Sequence, residues 1–81
     1  MISCHYYDYI EIVCMHSYPV CLTLKSGQMV EGIAVDTMLN ASRVECIRLT
    51  VEGVNTELEL DKISQLTVSI DNPHFKQVNF D

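Results

Sequence analysis

The sequence predicts a mainly β protein: a small, strongly bent antiparallel barrel or sandwich of about five to six strands with a short N-terminal helix. Apolar residues recur at helical spacing in one segment near the N-terminus, whereas a period of two begins at Val20 and continues through most of the chain. Turn-forming residues separate the alternating segments. With 81 residues, 48% of them hydrophobic, residues 1–81 are predicted to form a single domain with a modest core.

The helix is predicted to begin at Asp8, whose carboxylate can accept hydrogen bonds from the free N–H groups of a first turn. Glu11 stands three residues later, in the position of a capping box. Ile10 and Val13 belong to an apolar stripe at i, i+3 spacing, which indicates the buried face. The helix is expected to run for about two turns and to end before Pro19.

The first hairpin is predicted from a change of period. Alternating residues from Val20 to Lys25 indicate a half-buried strand, and Ser26-Gly27 is a turn signal. The next strand is expected from about residue 28 to residue 36, with a sharp bend or bulge at Gly32. Residues 36–42 are rich in turn formers and are predicted to be a loop.

The second half of the chain continues the same pattern. Residues 47–51 and 56–60 alternate around a predicted turn at residues 52–55, a register that would place Arg48 opposite Glu59. The residues predicted to face inward are Ile47, Leu49, Val51, Thr56, Leu58 and Leu60. A further strand and an apolar tail that is compatible with a last edge strand follow. Their apolar residues are Leu66, Val68, Ile70, Phe75, Val78 and Phe80.

The charge balance bears directly on function. The chain carries 11 acidic residues against five basic ones, a formal net charge of −6. Proteins that bind RNA neutralise its phosphates with lysine and arginine, so this balance disfavours RNA as a direct ligand. It favours a basic protein surface instead, because opposite potentials speed encounter and disfavour wrong partners. The acids therefore indicate a protein–protein role.

Catalytic and metal-binding patterns are weak. Three histidines lie outside any recognisable nucleophile–base pattern, and three glycines leave little for a phosphate-binding loop. We therefore expect no enzymatic activity and no cofactor. Cys4-His5 and Cys14-x-His16 do not match the spacing of structural zinc sites, so we expect no metal ion there.

The chain is expected to be cytoplasmic. No apolar run approaches the roughly 20 residues of a membrane helix, and the N-terminus lacks the basic start and apolar core of a signal peptide. The cysteines are therefore expected to be reduced thiols, with a Cys4–Cys14 bridge as the open alternative. The four cysteines are Cys4, Cys14, Cys21 and Cys46.

One stretch resembles the first signature of Sm-like proteins. It consists of Leu24-x-x-Gly27, Gly32 and the segment from Asp36 to Asn40. In that family the aspartate and asparagine line an RNA pore, which keeps an Sm-like, RNA-binding oligomeric ring as the alternative function. The second Sm signature, a late Arg-Gly pair, is missing after Glu52. We therefore expect Asp36 and Asn40 to shape a turn.

A second resemblance covers the chain from residue 2 to about residue 70. The segments that carry it are Ile2-x-Cys4-x-x-Tyr7-Asp8-x-Ile10-Glu11-x-x-Cys14, Leu22-x-Leu24-x-x-Gly27, Val44-Glu45 and Leu58-x-Leu60-Asp61-Lys62-Ile63. Together they resemble the Rho-binding antiterminator family, also called Rof. The resemblance implies a cytoplasmic bacterial protein with an Sm-like fold and an added N-terminal helix. It also implies binding to the RNA-contacting face of the N-terminal domain of the hexameric termination factor Rho, which blocks RNA loading and suppresses termination.

The residues expected to contact Rho combine acids with neighbouring tyrosines, which anchor interfaces at low entropic cost. Asp8 and Glu11 match the acidic helix start of the family and Tyr7 its tyrosine, whereas His5 and Tyr6 depart from relatives that carry acids there. No role is assigned to the tail from residue 72, and the free chain is expected to be a monomer. The expected contact residues are Tyr6, Tyr7, Asp8, Glu11, Glu45 and Glu59.

Overall fold

The computed structural model describes residues 4–80, with side chains from residue 6 onward. One helix, α1, precedes six strands that form a single antiparallel sheet in the order β4-β3-β2-β1-β5-β6, which confirms the mainly β prediction. The elements are α1 Cys4–Met15, β1 Pro19–Leu24, β2 Met29–Leu39, β3 Glu45–Val51, β4 Val54–Glu59, a 3₁₀ turn Leu60–Lys62, β5 Ile63–Val68 and β6 Gln77–Asn79.

The core is one cluster enclosed by the curved sheet and capped by α1. Residues from α1, from four of the strands and from the 3₁₀ turn meet in it, and each buried leucine or isoleucine contributes about 1.5–3 kcal/mol. The residues of the cluster are Ile10, Val13, Val20, Leu22, Ala34, Ile47, Leu49, Leu60, Ile63, Leu66 and Val68. The alternation seen in the sequence therefore identified the buried face of most strands.

The helix begins earlier than expected. α1 starts at Cys4, so Asp8 is its fifth residue and does not cap it, and the predicted capping box with Glu11 is wrong. The additional turn before Asp8 is stabilised by tertiary contacts, which a capping pattern in the local sequence cannot indicate. Tyr6 packs edge to face on Phe80, with ring centroids 5.4 Å apart, and the Tyr7 side chain packs against the core.

Strand β2 is longer than expected and its irregularity lies elsewhere. The register with β3 shifts between Ala34 and Asp36, after which β2 continues to Leu39, so the predicted loop at residues 36–39 is wrong. Gly32 is required for a different reason: a Cβ there would lie 2.7 Å from the backbone oxygen of Thr50. The predicted turn at Ser26-Gly27 is confirmed, since Gly27 has a φ of 94°.

The β3–β4 hairpin has a tighter turn than expected. Glu52 and Gly53 have φ angles of 51° and 83°, the positive values of a two-residue type I′ turn. The short turn pairs Val51 with Val54 and Arg48 with Glu57. The predicted pairing of Arg48 with Glu59 is therefore wrong by two residues. Because a shift of two residues is even, the side chains of β4 still lie on the faces of the sheet that the alternation predicts.

The tail forms the expected edge strand and also reaches the helix. β6 pairs with β5, and Val78 is buried with 8% of its surface exposed. Tyr9 of α1 packs edge to face on Phe75 with ring centroids 4.8 Å apart, and His16 stacks on His74 at 4.9 Å. The C-terminal segment therefore holds one side of α1.

A candidate protein-binding surface

The exposed face of α1 carries two carboxylates. Asp8 and Glu11 are exposed, and their spacing of three residues places them one above the other, about 4.5 Å apart along the helix axis. The opposite face is fixed by the buried residues Ile10 and Val13. The helix therefore presents a compact acidic patch to solvent, which we call the α1 acidic face.

The neighbouring tyrosines contribute mainly to packing. The Tyr7 hydroxyl donates a hydrogen bond of 3.0 Å to Oγ1 of Thr37 on β2, and the ring is partly buried against the core. Tyr6 is half-buried against Phe80 of the tail. These contacts orient α1, and they leave only part of each ring accessible beside Asp8.

A third acid lies near the same surface. Asp36 forms an ion pair with Arg48, in which Oδ2 lies 3.5 Å from Nη1. Nη2 of the same arginine lies 3.8 Å from Oε2 of Glu57. Side chains from three adjacent strands therefore form an acid–arginine–acid row. Burial, Asp36 and Glu11, in that order, raise the pKa of the Cys14 thiol to about 11. Carboxylates of α1 and β2 therefore act on the same half-buried thiol.

Sequence reasoning missed Asp36 as part of this surface because the segment that contains it reads as a turn. Asn40 does shape the turn between β2 and β3 as expected, since its Oδ1 accepts hydrogen bonds from the backbone N–H groups of Ser42 at 2.8 Å and Val44 at 3.0 Å. Asp36 instead lies within β2, where the register shift sets it opposite Arg48. Only the position of the bulge reveals this pairing.

The remaining two candidates form a second acidic region around that turn. Glu59 is held by the Nδ2 of Asn40 at 3.5 Å and by the Nζ of Lys62 at 3.6 Å. Glu45 is exposed at the start of β3 and lines a shallow cleft of about 270 Å³ together with Asp61. Glu59 on β4 pairs with Cys46, the residue that follows Glu45 on β3. The two candidates therefore lie on neighbouring strands, but their side chains point to opposite faces of the sheet.

The thiols are free wherever they are described. Cys14, Cys21 and Cys46 are unpaired, so the alternative Cys4–Cys14 bridge is wrong; ten residues along one helix separate the two positions by about 15 Å, far beyond disulfide reach. Burial, followed by Glu59 and Glu57, raises the pKa of Cys46. These thiols are therefore protonated and weakly reactive near neutral pH.

Within residues 6–80 no group of three or more histidine, cysteine, aspartate or glutamate side chains is arranged to hold a metal ion. The side chains of Cys4 and His5, two of the four ligands considered from the sequence, lie outside the described residues. In the part of the chain that the structure describes, no helix has the length and apolarity needed to cross a bilayer.

Comparisons with known proteins agree with the geometry. Residues 1–80 match the family model of modulators of Rho-dependent transcription termination (ROF). Protein rof from Escherichia coli (strain K12) and protein rof from Shigella flexneri are each 33% identical to the chain over 66 residues, which cover 82% of this chain and 77% of each relative. A solved structure of YaeO bound to magnesium from Vibrio cholerae O395 is 41% identical and superposes with a TM-score of 0.89, covering 93% of this chain and 97% of that one. The chain therefore belongs to the Rof family of modulators of Rho-dependent transcription termination.

Proposed function

We propose that the chain inhibits the termination factor Rho by binding the primary RNA-binding site in the N-terminal domain of the hexamer and blocking RNA loading. The observation that carries the proposal is the α1 acidic face, formed by Asp8 and Glu11, in a Rof-family chain of net charge −6. A protein surface that holds RNA must be basic, because it neutralises phosphates. An acidic body meets such a surface with complementary potential.

The interface is assigned in two parts. Asp8 and Glu11 supply exposed charge, while Tyr6 and Tyr7 hold the helix in place and offer their accessible ring edges. Glu45 gives the contact a second point of attachment at the start of β3, and Glu59 is the other acidic candidate near the same turn, with its side chain on the opposite face of the sheet. Glu45 is the better of these two candidates because it is exposed, whereas Glu59 is already engaged by Asn40 and Lys62.

Further parts of the proposal follow from this role. Residues 1–81 act as one Sm-like, Rho-binding antiterminator domain in the cytoplasm, and the free protein is a monomer. Inhibition by occlusion requires no catalysis and no cofactor, since a bound protein excludes RNA by occupying its site. The effect on transcription is antitermination.

The alternative, an Sm-like ring that binds RNA directly, has less support. Of the five basic residues, Arg48 is paired with Asp36 and Glu57, and Lys62 is paired with Glu59. The other three basic residues face a total of 11 acids, a balance that disfavours binding to phosphates. A sizing column run with and without oligouridine separates the two functions. Elution as a ring that shifts with oligouridine would support the alternative over the Rho inhibitor.

Competition on Rho tests the occlusion mechanism. Labelled chain is titrated with Rho hexamer at several fixed concentrations of single-stranded RNA, and binding is followed by fluorescence anisotropy. We expect the apparent Kd to rise linearly with the RNA concentration, and we expect the isolated N-terminal domain of Rho to bind with the affinity of the whole subunit. Binding that saturating RNA leaves unchanged would rule out a shared site.

A further inference from the structure

The outer edge of β5 is covered by the chain's own C-terminus. β6 spans only Gln77–Asn79, yet it converts β5 from an edge strand into an interior strand. The pairing is extended at both ends by backbone hydrogen bonds of 2.8 Å, from Phe80 N to Ser64 O and from Val68 N to Lys76 O. The C-terminus therefore occupies the outward side of almost all of β5.

The composition of β5 explains why this edge needs cover. Its residues, Ile63–Val68, read ISQLTV and include no charge, no proline and no glycine. An uncharged strand of high β propensity is a template for pairing with another chain when its edge is open. The opposite edge strand, β4, carries Glu57 and Glu59, and charged side chains on an open edge strand oppose its pairing with another chain. The fold thus protects one edge with charge and the other with β6.

β6 itself is short and has one buried residue, Val78. A side-chain bridge joins β6 to β5, where Nε2 of Gln65 donates to Oδ1 of Asn79 at 2.9 Å. The segments on either side of β6 are attached to α1 by ring contacts with centroids 4.8, 4.9 and 5.4 Å apart, and two of these rings also pack against the core. An edge strand of three residues opens at a lower free energy than the core strands, which bury several side chains each.

We propose that the outer edge of β5 is a self-association surface whose partner is β5 of a second copy of this chain, and that β6 keeps the chain monomeric by occupying that surface. An antiparallel β5–β5 pair is two-fold symmetric and closes as a dimer. It places no charged side chain opposite another, because β5 carries none. A β4–β4 pair would instead bring Glu57 and Glu59 of both copies together, which is destabilising.

Removal of the tail tests the proposal directly. A chain that ends at Asp71 loses one lysine and one aspartate, so its net charge stays at −6. Light scattering during size-exclusion chromatography is expected to give twice the monomer mass for this variant and the monomer mass for the full chain. Excess peptide of residues 72–81 is expected to return the variant to monomer mass. A folded truncated chain that stays monomeric, or a full chain that is itself dimeric, would overturn the proposal.

A point variant covers the case in which the truncated chain does not fold. Val78→Asp places a carboxylate at the buried position of β6 and is expected to undock the strand and give the dimer. Asn79→Asp adds the same charge at the exposed neighbouring position and keeps an oxygen acceptor for Gln65, so this matched control is expected to stay monomeric. A folded, monomeric Val78→Asp chain would contradict the proposal.

A second-site change locates the contact on the molecule. Gln65→Lys, added to Val78→Asp, introduces a charge on β5 and is expected to restore the monomer, because a lysine on an edge strand opposes pairing. A double variant that remains dimeric would show that the copies associate through another surface. The net charge of each copy opposes association, so the dimer is expected to be tighter at high salt than at low salt. None of these measurements requires Rho, so they stand apart from the proposed function.

Discussion

Charge reversal on the α1 acidic face tests how the chain recognises its partner. The variant Asp8→Lys with Glu11→Lys replaces two exposed carboxylates by ammonium groups. Because Asp8 is the fifth residue of α1 and not its cap, the fold should tolerate the change. Lysine is a better helix former than aspartate, and exposed substitutions of this kind change stability by about 0.5 kcal/mol or less.

The expected loss of affinity follows from the exposure of the two positions. An exposed ion pair contributes about 0.2–1 kcal/mol, and reversal replaces that attraction by a repulsion of similar size. Two positions then weaken binding by about 1–4 kcal/mol, which raises the Kd for Rho by roughly 5- to 700-fold, since about 1.4 kcal/mol is a factor of ten. Fluorescence anisotropy measures the Kd, and thermal unfolding followed by circular dichroism measures stability.

A matched control separates position from total charge. Glu31→Lys with Glu52→Lys reverses two exposed acids on β2 and in the β3–β4 turn. Each double variant changes the formal net charge from −6 to −2, because every acid-to-lysine change adds two charges. The control is expected to bind Rho more tightly than the α1 variant. Equal weakening of the two would refute the assignment of the contact to the α1 acidic face, as would unchanged affinity in a folded α1 variant.

Three further predictions concern stability and reactivity. Glu52→Asn is expected to stabilise the fold by about 1 kcal/mol, because asparagine tolerates the left-handed conformation that glutamate adopts at a φ of 51°; a melting temperature that does not rise would contradict this. A double-mutant cycle between Tyr9→Leu and Phe75→Leu is expected to give a coupling of about 0.5–1.5 kcal/mol in denaturant unfolding, and additive effects would disprove the ring contact. Burial raises the pKa of the folded Cys14 thiol from an ordinary value of 9.0 to about 11, so its stabilising effect is complete below pH 9.0 and is lost as the pH rises toward 11. Cys14→Ala should make stability less dependent on pH in that window, and an unchanged pH profile would contradict the shift.

The candidate surface was only partly visible in the sequence. Asp8 and Glu11 do not form the predicted capping box, yet their position on one helical face follows from their spacing alone. The packing role of Tyr7 could not be read locally, because its hydrogen-bond partner, Thr37, is 30 residues away. The position of Asp36 within β2 was also hidden in the sequence, because a bulge adds one residue to a strand without a clear sign in the alternation of apolar and polar residues.

The sequence by itself determined the mainly β class, one N-terminal helix and the buried face of most strands, because burial on one face imposes a period that can be read locally. The family was indicated by the resemblance of several motifs along the chain. Tertiary structure decided the first turn of α1, the register of β3 with β4 and the docking of the tail on β5 and α1. Each of these depends on contacts between residues remote in the chain, such as Tyr6 with Phe80, or on a turn geometry that Glu52-Gly53 signals only weakly. Local preferences of about 1 kcal/mol are overridden by packing of that kind, since burial of a single large side chain contributes about 1.5–3 kcal/mol.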